Sequence, residues 1–158
     1  MMSRVIPIYD GEWNTKEFQT DADFREYLEL IFKEPGEYDF TKMALKFNEQ
    51  ARIFNDEGNY CSAPFRSKDF TKYWEDQKNK CRTGVIYKDG NNEWYLTRDY
   101  YMWLNFLPIF DKEEKKYGFA KVRDAQYHMA LYEIIAELNN QHVAILKKRQ
   151  IASSYFHM

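Results

Sequence analysis

The stretch TGVIYKDGNNEWYLTRDYYMWLNFLPIF, residues 83–110, decides the fold class of this chain. Its first half is rich in β-branched and aromatic residues, and the polar segment Lys88–Asn92 separates two short runs of them. Strands favour these residue types, and a short segment containing Asp-Gly-Asn between two such runs is typical of a hairpin loop. The pattern therefore predicts strand, turn and strand, followed by a helix from Arg98 to Phe106 that Pro108 interrupts.

The sequence upstream of this stretch has the spacing of helices. Apolar residues recur at helical intervals in residues 15–33 and again in residues 39–58, where Gly58 ends the pattern. A third, shorter helix is predicted in residues 67–81. The candidate capping residues are Asp21 or Asp23 for the first helix and Asp39 or Thr41 for the second.

A different order of elements follows downstream. Asp124 is a candidate cap for a helix with a packed apolar face, and Asn139-Asn140 ends that pattern. The short apolar run HVAILK, residues 142–147, is typical of a strand buried on both faces in a parallel sheet. A loop of basic and small residues comes next, and SSYFHM, residues 153–158, has the character of the first turn of another helix. Phosphate-binding loops occur in this setting, between a buried strand and a helix.

Three regions follow from these patterns. Residues 1–80 are predicted to form a helical N-terminal region, and residues 81–123 a hairpin and aromatic connecting region. Residues 124–158 are predicted to be the start of a P-loop ATPase domain, which is incomplete after its phosphate loop. The expected fold class is thus mixed α/β.

Composition narrows the function classes. The chain of 158 residues is 44% hydrophobic and 18% aromatic, which suits one domain with its own core and excludes a disordered tail. The net charge of -2 gives no overall attraction to nucleic acid. No apolar run approaches the roughly 18 residues of a membrane span, so we expect a cytosolic protein with no membrane partner. The two cysteines and three histidines are scattered without metal-ligand spacing.

The basic loop Lys147–Ser154 departs from the standard phosphate loop, G-x-x-x-x-G-K-[ST], because both glycines and the usual lysine are absent. It resembles instead the deviant Walker A loop in the large terminase subunits of tailed phages, the ATP-driven motors that package DNA. In that family the shape is close to K-x-R-x-x-G-x-S. Lys147, Arg149 and Ser154 match this form, and Ala152 stands where glycine is expected.

The resemblance extends upstream, through roughly the second half of the chain. Many such terminases have a Trp-containing helix and a Cys-Arg-x-Gly step before an aromatic Y-x-x-L-N-x-x-P-I segment. The matching residues here are Trp74, Cys81, Arg82, Gly84, Tyr101, Leu104, Asn105, Pro108 and Ile109. The segment RDAQYHM, residues 123–129, is similar to the adenine-contacting glutamine element of these ATPases, with Gln126 as the glutamine. A glutamine amide offers the one donor and one acceptor that the adenine edge requires.

The terminase resemblance implies ATP as the ligand, together with Mg²⁺ held through the hydroxyl of Ser154. The residues implied for the ATP site are Gln126, Lys147, Lys148, Arg149, Gln150, Ala152, Ser153 and Ser154. The acidic Walker B strand and the nuclease domain of the family lie after this loop, so we expect an N-terminal piece of a longer terminase without hydrolysis of its own. The implied partners are the remainder of the large terminase, the small terminase, the portal and viral DNA, in the cytoplasm of the infected host.

The same residues allow other interpretations. A non-catalytic module that docks on other packaging-motor proteins would use the abundant Tyr, Trp and Phe side chains as interface residues. A small DNA-binding helical protein is a third class, which the acidic balance of the chain disfavours. Within the site, Lys147–Gln150 can be a solvated strand end and Gln126 an exposed helical residue. Ser153 and Ser154 can simply cap the next helix.

Overall fold

The computed structural model describes residues 3–146 as a mixed α/β fold, which confirms the predicted fold class at that level. Its strands come in three consecutive pairs, which are separated by helices. Their bounds, in chain order, are β1 (Arg4–Tyr9), β2 (Trp13–Phe18), α1 (Asp21–Ile31), α2 (Ala44–Phe47), α3 (Glu49–Glu57), α4 (Lys68–Thr83), β3 (Val85–Asp89), β4 (Asn92–Leu96), α5 (Arg98–Phe106), β5 (Pro108–Asp111), β6 (Lys116–Phe119) and α6 (Asp124–Leu138).

The hairpin and helix predicted from residues 83–110 are present. β3 and β4 pair antiparallel from Val85 with Leu96 to Asp89 with Asn92, so Gly90 and Asn91 form the turn. α5 starts directly after β4, because the hydroxyl of Thr97 accepts a hydrogen bond from the backbone N–H of Tyr100 and caps the helix.

The beginning of the chain differs from the predicted helical region, because it opens with two strands. β1 pairs antiparallel with β2 and parallel with β3, which gives a four-stranded sheet in the order β2-β1-β3-β4. Pro7 obscures this strand in the sequence, since proline cannot donate a hydrogen bond to a neighbouring strand. The parallel pairs, Ile8 with Ile86 and Tyr9 with Tyr87, come after the proline. The prediction therefore missed both β1 and β2, which form an antiparallel hairpin at the start of the described chain.

The predicted helices are present, with changes at their ends. Thr20, and not an aspartate, caps α1: its hydroxyl accepts from the backbone N–H of Asp23, whose carboxylate accepts from the backbone N–H of Thr20. The second helix is divided into α2 and α3 at Asn48. Its expected caps, Asp39 and Thr41, bond to each other in the preceding turn. The third helix, α4, is 16 residues long.

Helices cover the sheet on both faces. Phe24 of α1 packs against Tyr95, with ring centroids 5.3 Å apart. Phe47 of α2 packs against Trp94 at 5.9 Å, on the opposite face, because neighbouring residues of a strand point to opposite sides. α6 runs along the β4 edge, where the hydroxyl of Tyr127 accepts a hydrogen bond of 3.1 Å from the backbone N–H of Tyr95. One hydrophobic core joins these layers.

The segment after α6 does not form the predicted strand. Residues 141–146 have no regular secondary structure, and the side chain of Leu146 is completely exposed. A strand buried on both faces needs parallel neighbours, and the two sheets of the described chain do not extend to this segment. The start of α6 also differs, since Arg123 holds the cap position and Asp124 is the first helical residue.

Another hairpin surrounds a charged surface loop, residues 112–115. β5 and β6 pair antiparallel on either side of that loop, which forms the turn between them. The carboxylate of Asp111 stabilises the turn by accepting from the backbone N–H groups of Glu113 and Glu114, at 2.8 and 3.1 Å. Each strand has four residues, which is too short for a clear alternation in the sequence.

Buried tyrosines make the fold sensitive to alkaline pH. Burial raises the pKa of the phenols of Tyr87, Tyr95, Tyr100, Tyr101 and Tyr127 above their ordinary value. A phenol whose pKa is raised by folding contributes stability that is complete below the unfolded pKa of about 10 and is lost as pH rises beyond it.

We therefore expect the melting temperature to be level up to about pH 9 and to fall steeply above about pH 10. Circular-dichroism melts at increasing pH, with phenolate absorbance followed in parallel, would measure this. Ionisation of all tyrosines in one step near their ordinary pKa, without unfolding, would contradict it.

Candidate nucleotide-binding cleft

A cleft of about 170 Å³ lies between the β5-β6 hairpin and the start of α6. Its wall is completed by α5 and by the linker that joins β6 to α6. The lining residues are Trp103, Ile109, Asp111, Phe119, Ala120, Lys121, Arg123 and Gln126. Apolar rings and charged groups therefore meet in one partly enclosed space.

Gln126, the residue predicted to contact adenine, lies in this cleft. It is the third residue of α6, and only 2% of its surface is exposed. The interpretation of Gln126 as an exposed helical residue is therefore wrong. Glutamine is seldom buried, because its amide must find hydrogen-bonding partners away from water.

Several contacts fix the first turn of α6 and so the position of Gln126. The backbone N–H of Arg123 lies 3.4 Å from the hydroxyl of Tyr100, to which it donates. The carboxylate of Asp124 accepts from the backbone N–H of Gly36, which attaches the loop after α1 to this turn. Tyr127, the residue after Gln126, bonds to the backbone of β4. The glutamine is thus carried by a turn that is tied to the sheet, to α5 and to a loop.

The walls of the cleft come from residues that the sequence places far from Gln126. Trp103 of α5 is 4% exposed and supplies a flat indole surface. Ile109 of β5 and Phe119 of β6 are partly buried and face it from the hairpin. Flat apolar walls around a few polar groups are typical of sites that bind ring systems.

The charge around the cleft is locally positive, although the whole chain is acidic. Residues 111–123 contain five basic and three acidic residues, against a net charge of -2 for the chain. Lys121 and Arg123 belong to the lining. The acidic lining residue, Asp111, has a pKa held below its ordinary value by hydrogen bonds from the backbone N–H groups of Glu114 and Glu113. A positive rim of this kind favours an anionic ligand such as a phosphate ester.

The remaining predicted ATP-site residues lie outside the described residues. They are Lys147, Lys148, Arg149, Gln150, Ala152, Ser153 and Ser154. The structure therefore places one member of the predicted set, Gln126. The lining residues that the sequence interpretation missed are Trp103, Asp111, Phe119, Ala120, Lys121 and Arg123. The sequence offered a signal only for Arg123, because it belongs to the RDAQ segment. The other missed lining residues match no motif position.

The upstream terminase-like segment contributes mainly to the core. Asn105 is 1% exposed, and its amide donates to the backbone carbonyls of Phe47 and Tyr101, at 2.8 and 3.0 Å. Its carbonyl oxygen accepts from the backbone N–H of Gln50 at 3.1 Å. The hydroxyl of Tyr101 donates to the side chain of Gln77 at 2.6 Å. Of the five matching residues of the Y-x-x-L-N-x-x-P-I segment, Ile109 alone lines the cleft.

Two kinds of structure are absent from the described residues. Residues 3–146 contain no group of three or more His, Cys, Asp or Glu side chains that could hold a metal ion. Within the same residues, every helix is too short or too polar to cross a bilayer.

Comparison with known proteins gives no match, either to a family model, to a curated protein or to a solved structure.

Proposed function

We propose that this chain is the N-terminal part of the large subunit of a phage DNA-packaging motor, in which it contributes to an ATP site. The observation that carries this proposal is the burial of Gln126 in a cleft with apolar walls and a positive rim. Independently of this burial, the segment RDAQ, residues 123–126, resembles the adenine-contacting glutamine element of terminases. A cleft that surrounds this one glutamine is the environment that such a contact requires.

The cleft offers complementary chemistry to each part of a nucleotide. The amide of Gln126 can donate to and accept from the edge of an adenine ring. Trp103 and the hairpin residues can enclose the faces of the ring, since aromatic and apolar surfaces favour flat heterocycles. Lys121 and Arg123, which also line the cleft, would contact phosphate or ribose oxygens.

The loop Lys147–Ser154 completes the proposed site. Its cations would neutralise the β- and γ-phosphates, and the hydroxyl of Ser154 would hold Mg²⁺. Hydrolysis in such a motor also needs acidic residues that orient water and metal, which we assign to the remainder of the large subunit. ATP and Mg²⁺ would therefore bind fully only when that remainder is present. The small subunit, the portal and viral DNA are the proposed partners of the assembled motor.

The role of Gln126 can be tested by isothermal calorimetry. The full chain, supplemented with the downstream ATPase segment, would be titrated with a non-hydrolysable ATP analogue and Mg²⁺. We expect Gln126→Met to weaken binding about tenfold to hundredfold, because the side chain keeps its length and loses both hydrogen bonds to the base. Binding of inorganic tripolyphosphate should be unchanged, since it has no base.

The matched control is Gln141→Met. Gln141 is exposed, next to the same helix, and undergoes the same chemical change. Melting temperatures of both variants would separate a loss of folding from a loss of binding. If Gln126→Met and the wild-type chain bind the analogue with equal affinity, Gln126 does not recognise adenine in this cleft.

A non-catalytic interaction module is the second candidate function. The observation in its favour is the exposure of aromatic residues: Phe65 is 74% exposed, Tyr117 73% and Phe110 47%. Exposed aromatic side chains are frequent anchors of protein interfaces. In this case the wild-type chain would bind a packaging-motor protein with unchanged affinity in the presence or absence of nucleotide.

A further inference from the structure

The β5-β6 hairpin forms part of the wall of the cleft in which Gln126 is buried. Ile109 and Asp111 of β5 and Phe119 of β6 line this cleft together with Gln126. Because Gln126 is only 2% exposed, a ring large enough to touch its amide cannot enter without movement of a wall. The opposite walls, α5 and α6, belong to the core of the fold.

The hairpin has the properties of a segment that opens locally. β5 and β6 form a sheet of their own, separate from the four-stranded sheet. Most of the hairpin side chains are exposed, and its turn is held by contacts within the hairpin, from Asp111 to Glu113 and Glu114 and from Lys116 to Glu114. Segments with few buried apolar contacts have the lowest free energies of local opening.

Phe119 attaches the hairpin to α3, while Ile109 on the other strand packs against the hydrophobic core. The ring of Phe119 lies 5.5 Å from that of Phe54 on α3 and 6.3 Å from that of Tyr60, centroid to centroid. Phe110, on the partner strand, packs against Tyr117 of the same hairpin at 5.2 Å and is 47% exposed. The two phenylalanines therefore differ in function: one joins the hairpin to α3, and the other joins its two strands.

We propose that the β5-β6 hairpin is a movable cover of the cleft, and that Phe119 is the positioning residue that keeps it closed. Release of Phe119 from Phe54 and Tyr60 would let the hairpin swing away and expose Gln126. The identity of the ligand that enters rests on the proposed function. The opening itself does not, since it belongs to the ligand-free chain.

Thiol labelling measures the opening directly. In the full chain with Cys61→Ser and Cys81→Ser, the substitution Gln126→Cys places a single thiol behind the hairpin. We expect this thiol to react slowly with a maleimide, and Phe119→Ala to raise the labelling rate at least about tenfold. Phe110→Ala removes the same ring from the exposed side of the hairpin and should raise the rate less than about twofold. If Phe119→Ala does not fold, Phe119→Leu replaces it, with a smaller increase expected.

Two results would overturn the proposal. One is an equal labelling rate in the Phe119 and Phe110 variants. The other is labelling of the introduced thiol only at the rate of global unfolding, measured by hydrogen exchange of β3 and β4. Hydrogen exchange of β5 and β6 in the wild-type chain, with and without the ATP analogue, then separates this proposal from the proposed function. A hairpin that opens freely but gains no protection from the nucleotide supports the cover and contradicts the ATP site.

Discussion

Gly84→Ala is expected to destabilise the protein by more than about 3 kcal/mol, a large fraction of the roughly 5 to 15 kcal/mol by which native proteins are stable. Gly84 links α4 to β3 with φ +74° and ψ -178°, a conformation that residues with a Cβ rarely adopt. A Cβ at this position would lie 2.5 Å from the backbone oxygen of Leu96 and 2.5 Å from the hydroxyl of Tyr95. Backbone strain and a steric clash therefore act together.

The matched control for this prediction is Gly90→Ala. Gly90 also has a positive φ, +60°, but a Cβ there meets nothing within 4 Å. It should cost about 1 kcal/mol, the strain of the left-handed conformation alone. Urea unfolding followed by circular dichroism measures both free energies. Equal costs at the two positions would mean that the close approach of Leu96 and Tyr95 does not govern the site.

Asn105→Leu is the second substitution with a large expected effect, a loss of about 2 to 4 kcal/mol. Leucine has the same branched shape but is larger, so the change removes the hydrogen bonds and also crowds the buried position. The carbonyl of Phe47 and the backbone N–H of Gln50 would lose the partner that the buried Asn105 side chain supplies. Because these groups join α2 and α3 to α5, we expect the two short helices to loosen first.

Hydrogen exchange and urea unfolding would measure the effect of Asn105→Leu on α2 and α3. The control is Asn14→Leu, which makes the same replacement at an exposed position of β2 and should change stability by less than about 0.5 kcal/mol. If Asn105→Leu is as well tolerated as the control, the buried amide does not hold the helices in place.

The elements that the sequence predicted well are those determined by neighbouring residues. The hairpin of β3 and β4 has its turn residues and its β-branched runs in one short stretch, and α5 has a cap in Thr97. The sequence interpretation missed β1 and β2, although they also form a local hairpin around residues 10–12. β1 contains Pro7, and its pairing with β3 depends on a strand that follows four helices later.

The predicted strand after α6 failed for a related reason. Its apolar residues are compatible with a buried strand, but strand formation requires partners that the described sheets do not supply. The caps of α1 and α6 were misassigned by one or more positions, because several adjacent polar residues can each serve as a cap. Local patterns thus identified the helices but left their exact ends open.

The sequence predicted one residue of the candidate site, Gln126, but not the shape of the cleft around it. Gln126 could be singled out because it belongs to a recognisable segment, whereas Trp103 and Phe119 become neighbours of Gln126 only through the packing of α5 and the hairpin. The structure also gives a packing explanation for some residues of the terminase-like segment. Gly84 and Asn105, two of its matching residues, have strong structural reasons for their identity. A resemblance that rests on such residues indicates similar packing before it indicates a similar function.

Calorimetric titration of the wild-type chain with an ATP analogue and Mg²⁺ tests most directly whether a nucleotide binds in the cleft around Gln126. The titration would be made on the chain alone and then with the downstream ATPase segment supplied in trans. We expect saturable binding in the presence of that segment, which Gln126→Met weakens and Gln141→Met does not. A stably folded chain that binds no nucleotide under either condition would contradict nucleotide binding in this cleft.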